Sequence, residues 1–306
     1  MTAVVLGAAG GIGSHVVEAL LAQGRSVRAV TRTAATPPEG AEPRVADLRD
    51  PAALRAAVAG ADVVVHAAQP AYTRWPREFP ALTAAIADAA EGRRLVFADN
   101  LYGYGPVDGP LTEDLPGAAT DAKGRVRVAM AEDLLRRHRD GRLEVVLGRA
   151  GDYFGPRGTS TVAGDAMVPA VIAGRTVRVV GATDVPHSWS YLPDVGRALA
   201  MLVDAAPGRP YHLPVAPPCS QQELADAFAR AAGRDRARLS ALPGPLHRVL
   251  ALGHPMLREL LGTRYQFTAP FVVDDTRFRR EVGAFTPTPL QEAAGATVAW
   301  FRGRES

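Results

Sequence analysis

The amino-acid sequence predicts an α/β protein with a doubly wound parallel sheet and a smaller C-terminal lobe. Apolar segments typical of strands alternate with helical segments through the first half of the chain, the pattern of parallel strands joined by right-handed crossovers. A glycine-rich turn joins the first strand to the first helix. The 306 residues suffice for one large domain and a lobe. We expect the sheet domain at residues 1–150 and the lobe mainly at 151–306, with some segments returning to the sheet.

The glycine-rich turn carries the first functional signal. The apolar run Ala3–Leu6 leads into Gly7, Gly10 and Gly13, and an apolar stretch with helical spacing follows up to Gly24. Strand, glycine turn and helix are the context of a dinucleotide-binding fingerprint, here spaced G-x-x-G-x-x-G. Gly7 would permit the tight turn, Gly10 the close approach of a pyrophosphate, and Gly13 the packing of the helix on the sheet. A glycine-rich turn without a ligand is the alternative.

Further strands and helices alternate through the rest of the first half. The expected strands are Ser26–Thr31, Arg44–Asp47, Asp62–Ala68, Arg94–Ala98 and Leu143–Gly148, and the expected helices are Pro51–Val58, 77–91 and 123–138. The segment Asp62–Ala68 is almost wholly apolar, as expected for a strand covered on both faces. Six alternating units of this kind favour a parallel sheet.

Beyond residue 150 the alternation loosens. Glycine and proline cluster at 151–169, and Thr176–Val180 is predicted as an isolated strand. The expected helices are 165–173, Pro193–Asp204, Ser220–Ala232, 244–261 with an interruption at Pro255, and 288–302. We expect this half to lie across the carboxyl ends of the strands, where open α/β sheets bind their ligands.

The composition excludes several classes of protein. No apolar stretch approaches the roughly 18 residues of a membrane span and no basic segment precedes the first apolar run, so we expect a soluble, cytoplasmic protein with no membrane partner. The single cysteine, Cys219, excludes an intramolecular disulfide. Scattered basic residues at a net charge of +3 speak against nucleic-acid binding, and the seven histidines lack metal-binding spacing. The oligomeric state stays open, with a homodimer as one option.

The distribution of lysine points to one position. Of the 35 basic residues only Lys123 is a lysine. A codon bias that replaces lysine with arginine explains the distribution. Under that bias, a position that keeps lysine is a candidate for chemistry that arginine cannot perform, such as the loss of a proton.

Motifs follow one another in a set order along nearly the whole chain. After the run Gly7–Gly24 they are Asp47-Leu48, Val65–Ala68, Tyr104–Pro106, Arg149–Pro156, Tyr191–Asp194 and Trp300–Arg302. This ordered set resembles the extended short-chain dehydrogenase/reductase superfamily, in its NAD(P)-dependent epimerase/dehydratase group. The resemblance implies a Rossmann NAD(P)-binding domain at residues 1–150 and a substrate-binding lobe in the second half.

The end of the second strand favours NADP(H) over NAD(H). In this family an acidic residue at that position binds the ribose 2′-hydroxyl of NAD, whereas this chain has Thr31 followed by Arg32. A guanidinium matches a 2′-phosphate, and the carboxylate that would repel it is missing. The alternative is that Arg32 is an ordinary surface arginine. The residues assigned to the cofactor are Gly7, Gly10, Gly11, Ile12, Gly13, Arg32, Asp47, Leu48, Ala67 and Ala68, with Asp47 on the adenine amino group by resemblance.

The catalytic positions depart from the family. Its members carry a serine or threonine after the fifth strand and a Tyr-x-x-x-Lys on the next helix, whose lysine lowers the pKa of the tyrosine. Alignment on Tyr104-Gly105 places Asn100 at the serine, Lys123 at the tyrosine and Arg127 at the lysine. We assign proton transfer to Lys123, a substrate-oxygen contact to Asn100, and an acid role to Tyr102 or Tyr104. An exposed Lys123 in a first helical turn, and tyrosines that only pack on the loop, are the alternatives.

Aromatic residues mark the expected substrate pocket. His187, Trp189 and Tyr191 alternate along an extended segment and therefore share one face. By resemblance this segment borders the pocket, where an aromatic wall suits an apolar or cyclic substrate; packing in the core is the alternative. The residues assigned to the substrate are Tyr72, Trp75, Asp152, Phe154, His187, Trp189 and Tyr191.

Three hypotheses about function follow. The first is an NADP(H)-binding enzyme with an atypical active site that acts on a carbonyl or alcohol carbon of a small, cyclic or apolar metabolite. The second is a redox-neutral epimerase, dehydratase or cyclase that retains the cofactor. The third is a non-catalytic regulator that senses NADP.

Overall fold

Seven parallel strands form the central sheet of the computed structural model, which describes residues 1–244, 252–253 and 261–304. The strand order is β10-β6-β5-β4-β1-β2-β3, and all six pairings are parallel. The sheet strands are β1 (Thr2–Leu6), β2 (Ser26–Thr31), β3 (Glu42–Val45), β4 (Val63–His66), β5 (Arg94–Asn100), β6 (Glu144–Ala150) and β10 (Arg209–His212). The expected doubly wound α/β fold is confirmed.

Helices cover both faces of this sheet and build the second half. They are α1 (Gly11–Ala22), α2 (Pro51–Val58), α3 (Trp75–Ala89), α4 (Ala122–Arg139), α5 (Val168–Ile172), α6 (Leu192–Met201) and α7 (Gln221–Ala231), followed by helices Thr276–Glu281 and Leu290–Gly303. Short 3-10 turns lie at Tyr72–Arg74, Tyr102–Tyr104, Leu202–Asp204 and Arg264–Phe267. No helix in the described ranges is long and apolar enough to cross a membrane.

The strand sequences explain why both faces of the sheet are covered. Along β1, Ala3 and Val5 pack into the core on the side of α1 and α6, whereas Val4 and Leu6 pack into the core on the side of α2, α3 and α4. Successive side chains of a strand point to opposite faces, so a continuous apolar run requires a layer on each side. The sheet is therefore buried between two helical layers.

The second half contributes to the sheet and also forms a separate core. β10 pairs with β6 at the sheet edge, and α6 packs against α1. Two small parallel pairs complete the lobe: β7 (Tyr153–Phe154) with β9 (Ser190–Tyr191), and β8 (Val177–Val180) with β11 (Leu239–Leu242).

Two expectations for the lobe need comment. The prediction of an isolated strand at Thr176–Val180 is wrong, because β8 pairs with β11 over four residues; a partner some 60 positions away leaves no local sequence signal. The expected helix at 244–261 lies largely outside the described residues.

Candidate active site

Two glycines of the turn after β1 are required by close backbone contacts. Gly7 has φ +85°, and a Cβ built on it would lie 2.7 Å from the backbone of Ala68. A Cβ on Gly13 would lie 2.2 Å from the carbonyl oxygen of Gly7. A side chain at Gly7 would therefore push the turn away from the residues that follow β4, and one at Gly13 would push α1 away from the turn.

The third glycine leaves the start of α1 open. Gly10 is the N-cap of α1 and provides no side-chain hydrogen bond to the helix, and both Ala9 and Gly10 are exposed. The first backbone bond of the helix runs from Ser14 N–H to the Gly10 carbonyl oxygen. The N–H groups of Gly11, Ile12 and Gly13 thus point out of the helix start, where they can bind an anion. This cradle fits the pyrophosphate of a dinucleotide.

The residues assigned to the adenosine end surround the neighbouring strand ends. Thr31 is buried and its hydroxyl donates to the Thr33 carbonyl oxygen, while Arg32 is exposed. Asp47 accepts two hydrogen bonds from the Arg49 guanidinium, which lowers the pKa of its carboxyl to about 2; the charge of Arg32 contributes in the same direction. Leu48, Ala67 and Ala68 are half-buried. The only carboxylate assigned to this end is therefore already paired with an arginine.

Lys123 lies in the first turn of α4. The side chain of Asp121 caps the helix and accepts from the backbone N–H groups of Lys123 and Gly124. The Lys123 side chain is buried, and its Nζ lies 3.8 Å from the centre of the Tyr72 ring. Burial lowers the pKa of Lys123 to about 8, against a smaller opposing effect of Asp121. An ammonium in this position can lose its proton near neutral pH.

Three further polar residues assigned to the reaction centre or the substrate, Asn100, Tyr72 and Tyr102, lie at or after the ends of β4 and β5. Asn100 is buried, and its Oδ1 accepts the backbone N–H of Tyr102 at 3.2 Å. Burial raises the pKa of Tyr72 to about 12, and Tyr102 and Thr263 lie beside its hydroxyl. Burial also holds the pKa of Tyr102 well above its usual value. Both phenols therefore stay protonated at neutral pH and can donate hydrogen bonds.

We call Lys123 and the polar residues assigned with it, Asn100, Tyr72 and Tyr102, the Lys123 site. Arg127 is not part of this site. Its Nη1 lies 3.4 Å from the Asp99 carboxylate, which also accepts from Arg149 Nε at 3.0 Å. The Trp75 ring covers the guanidinium of Arg127 at 4.4 Å, and the Trp75 indole N–H donates to the Pro70 carbonyl oxygen. Arg127 and Trp75 thus belong to a buried structural ion-pair network behind the site.

Tyr104 joins the same network. Its hydroxyl lies 2.7 Å from Arg149 Nη1 and 2.7 Å from His212 Nε2. His212 is fully buried, and its Nδ1 donates to the Asp274 carbonyl oxygen. The structure therefore separates the two tyrosines of the loop, with Tyr102 beside Tyr72 and Tyr104 in the Arg149 network. No motif marks His212 in the sequence.

Asp152 and His187 form a buried pair near Tyr72 and Tyr102. Their side chains approach to 2.9 Å between Asp152 Oδ2 and His187 Nε2. The Asp152 carboxylate acts electrostatically on the phenols of Tyr72 and Tyr102. Asp152 also has φ +45°, a left-handed conformation that is uncommon for residues other than glycine. The pair is therefore part of the same polar region as Lys123.

The aromatic wall is mainly part of the lobe core. Phe154, Trp189 and Tyr191 are buried in one apolar cluster with residues of α5 and α7, and the Trp189 indole N–H donates to the Cys219 carbonyl oxygen. The His187 ring packs on Trp189 and Phe267 of this cluster, and its Nε2 faces Asp152. The alternation seen in the sequence thus describes packing for Trp189 and Tyr191.

Sequence reasoning missed Thr263 and Tyr265. Both belong to the segment that follows the undescribed part of the chain, and both act on the Tyr72 and Asp152 region. They belong to no motif. Their position depends on how the lobe folds back onto the sheet, which only tertiary structure reveals.

A family model described as NAD dependent epimerase/dehydratase family matches residues 3–213. No curated protein matches the sequence. Among solved structures, the chain is similar to a nucleoside-diphosphate-sugar epimerase from Pseudomonas aeruginosa, with 21% identity, 99% of this chain and 98% of the other covered, and a TM-score of 0.79.

Two further solved structures show the same fold. A UDP-glucose 4-epimerase from Thermus thermophilus, in complex with NAD, is 23% identical, with 99% of each chain covered and a TM-score of 0.76. A dTDP-glucose 4,6-dehydratase double mutant from Streptomyces venezuelae, with NAD bound, is 21% identical, with 99% of this chain and 97% of the other covered and a TM-score of 0.78. At these identities the likeness shows the fold.

Proposed function

The chain belongs to the NAD dependent epimerase/dehydratase family and is an enzyme of its oxidoreductase/epimerase type, and we propose that Lys123 takes the place of the family's catalytic tyrosine. The substrate would react at a carbonyl or alcohol carbon, with NADP(H) as the cofactor. One observation carries the proposal: the only lysine of the chain is buried at the start of α4 with its pKa lowered to about 8.

The preference for NADP(H) rests on the end of β2. Arg32 is exposed beside the buried Thr31, and no carboxylate occupies that position. The nearby Asp47 is neutralised by Arg49, so it does not oppose a 2′-phosphate as an unpaired carboxylate would. A guanidinium provides the planar pair of donors that a phosphate accepts.

The residues of the chain divide the work at the reaction centre. A nicotinamide bound at this end of the sheet would supply the hydride chemistry. Lys123 exchanges a proton with the substrate oxygen, while Asn100 donates a hydrogen bond to that oxygen through its side-chain amide. Tyr102 stays protonated and acts as a donor rather than a base. The guanidinium of Arg127 is paired with Asp99. We therefore assign the titration near neutral pH to Lys123, whose pKa is lowered to about 8.

The substrate is a small cyclic or apolar metabolite in this proposal. The Tyr72 ring lies beside Lys123, and the phenols of Tyr102 and Tyr265 act on Tyr72. These tyrosines offer apolar faces for a ring and hydroxyl groups for its oxygens. The relatives of known structure include enzymes named for nucleotide sugars, whose reacting part is also a ring.

A redox-neutral reaction is the second candidate. It is favoured by the replacement of the whole family set, because Asn100, Lys123 and Arg127 stand where serine, tyrosine and lysine are expected. In that case the cofactor is retained, and epimerisation, dehydration or cyclisation leaves its redox state unchanged. Membership of an enzyme family speaks against the non-catalytic regulator.

The test is turnover of a panel of small cyclic ketones, alcohols and nucleotide sugars with NADPH and with NADH. We expect consumption of NADPH with at least one ketone. Since Lys123 must be protonated to act as an acid, reduction should proceed fully below pH 8 and decline above it; the oxidation should show the opposite dependence. Product formation without change in NADPH would support the redox-neutral candidate. A rate of reduction without a transition near pH 8 would contradict the role of Lys123.

A further inference from the structure

Two buried histidines make the same contact through one ring nitrogen. The Nδ1 atoms of His187 and His212 each lie 3.0 Å from a backbone carbonyl oxygen, that of Gln266 and that of Asp274 respectively. A carbonyl oxygen only accepts hydrogen bonds, so Nδ1 carries a hydrogen in both rings. The two histidines therefore differ only at Nε2.

At Nε2 the partners have opposite hydrogen-bonding character. His212 meets the Tyr104 hydroxyl at 2.7 Å, which can donate to the lone pair of a neutral imidazole. Burial lowers the pKa of His212 to about 4, in agreement with a neutral ring. His187 instead meets Asp152 Oδ2 at 2.9 Å. At this distance the lone pair of a neutral imidazole would repel the oxygen of an ionised carboxylate, so the close contact favours one proton more than the His212 arrangement holds.

We propose that Asp152 and His187 form a buried imidazolium–carboxylate pair that acts as a second acid–base group on the substrate side of the Lys123 site. We place that proton on Nε2, so that both ring nitrogens of His187 carry a hydrogen. The rings of Phe267 and Phe271 stack with the His187 ring, with centroid distances of 4.9 and 5.3 Å, and aromatic faces favour a cation.

Three observations indicate a site rather than a purely structural ion pair. Asp152 holds an uncommon left-handed conformation at φ +45°, which is strained for a residue other than glycine and needs compensation. Its carboxylate acts on the phenols of four tyrosines, namely Tyr72, Tyr102, Tyr153 and Tyr265. Although 2.9 Å apart, Asp152 Oδ2 and His187 Nε2 are not aligned as a hydrogen bond, and neither has an aligned partner within the described part of the chain. Both atoms retain capacity for a substrate oxygen.

The pair is connected to Lys123 through Tyr72. The Tyr72 ring lies under the Lys123 ammonium, and its hydroxyl is influenced by Asp152. In a turnover, the Nε2 proton passes by way of the Asp152 carboxyl to an oxygen of the substrate, which leaves a neutral imidazole beside the carboxylate. Uptake of one proton from water restores the pair, and no electron moves. This role rests on the proposed function, since it needs a substrate at the Lys123 site.

The charge state of His187 can be read without any substrate. In protein labelled with 15N-histidine at pH 7, we expect N–H signals at both ring nitrogens of His187 and at Nδ1 alone of His212. Asp152→Asn should convert Nε2 of His187 to a bare acceptor, and it should fold because asparagine tolerates left-handed backbone. Tyr104→Phe is the matched control, which should change the His212 signals only. A bare Nε2 on His187 in the unchanged protein overturns the inference.

Activity provides the second arm. With a substrate found in the carbonyl and nucleotide-sugar panel, Asp152→Asn should lower kcat by about 100-fold or more with NADPH affinity retained, as expected for loss of a general acid. An unchanged kcat would overturn the acid–base role. Failure of Lys123 variants to affect turnover, with Asp152→Asn still impaired, would remove the proposed role of Lys123 and leave this pair intact.

Discussion

The starts of helices α1 and α4 follow strands of the same sheet but use their free N–H groups differently. At α1 the N-cap is Gly10, which makes no side-chain hydrogen bond to the helix. At α4 the N-cap is Asp121, whose carboxylate accepts from the N–H groups of Lys123 and Gly124. The first helix start is open to an external anion, and the second is closed by its own anion.

The α1 start is therefore suited to binding by backbone N–H groups, and the α4 start is suited to chemistry by a side chain. In the proposed function, the α1 start would bind through backbone N–H groups, which every residue except proline carries, so it would require only that side chains be absent. The α4 start presents one side chain, so its chemistry depends on the residue at a single position. Asp121 and Gly124 hold the turn in place; a Cβ on Gly124 would lie 2.7 Å from the Tyr102 carbonyl oxygen. The residue at position 123 can therefore change while the turn persists.

The largest effect is expected from the side chain at the α4 start. Lys123→Met keeps the length of the apolar stem and removes the proton, and should lower kcat by about 100- to 10,000-fold, as for loss of a general acid–base group. Steady-state turnover measures the chemistry assigned to the α4 start. Titration with NADPH measures the binding assigned to the α1 start, and this affinity should stay unchanged. Arg125→Met, at an exposed position of the same helix, is the control. Equal turnover in both variants would show that Lys123 has no chemical role.

The next effect concerns the ion-pair network behind α4. Asp99→Asn leaves the buried guanidinium of Arg127 and the half-buried guanidinium of Arg149 without their carboxylate, and should lower the free energy of unfolding by about 3–5 kcal/mol. Denaturant unfolding measures it. Asp140→Asn, which breaks the exposed pair with Arg136, should cost under about 1 kcal/mol. Similar small losses in both variants would contradict the structural role of Asp99.

The backbone requirement at α1 should give a smaller loss of stability. Gly13→Ala places a Cβ 2.2 Å from the Gly7 carbonyl oxygen and should destabilise the protein by about 1–3 kcal/mol, as overpacking does, with weakened NADPH binding. Gly295→Ala, in the C-terminal helix with open space around it, should instead be neutral or stabilise by up to about 1 kcal/mol. Thermal unfolding of the two variants compares them directly. If Gly13→Ala matched Gly295→Ala, close packing at α1 would not be the reason for glycine.

The smallest effect concerns cofactor choice. Arg32→Ala should weaken NADPH binding by about tenfold, the loss of one hydrogen-bonded charge contact, and leave NADH affinity unchanged. Titration of both dinucleotides measures the ratio, with Arg55→Ala at an exposed position of α2 as the control. Equal losses for NADPH and NADH would place Arg32 away from the 2′-phosphate.

Most of the sheet was predictable, because its strands are short apolar runs bounded by turns. β2 (Ser26–Thr31) and α2 (Pro51–Val58) begin and end where the sequence predicts. The pairs β7–β9 and β8–β11 were not predictable, because two-residue and four-residue strands depend on partners far away in the chain. The edge strand β10 was missed for the same reason.

The sequence by itself determined the family and the glycine turn, since these are local patterns of residue type, and it predicts the replacement of the three catalytic positions. Only the tertiary structure decided which polar groups meet. It placed Tyr104 with Arg149 and His212, Arg127 with Asp99, and Asp152 with His187. Burial, pKa and hydrogen-bond partners depend on segments distant in the chain, and spacing along the sequence holds no record of them. The glycine turn could be recognised in the sequence because backbone geometry constrains residue type directly.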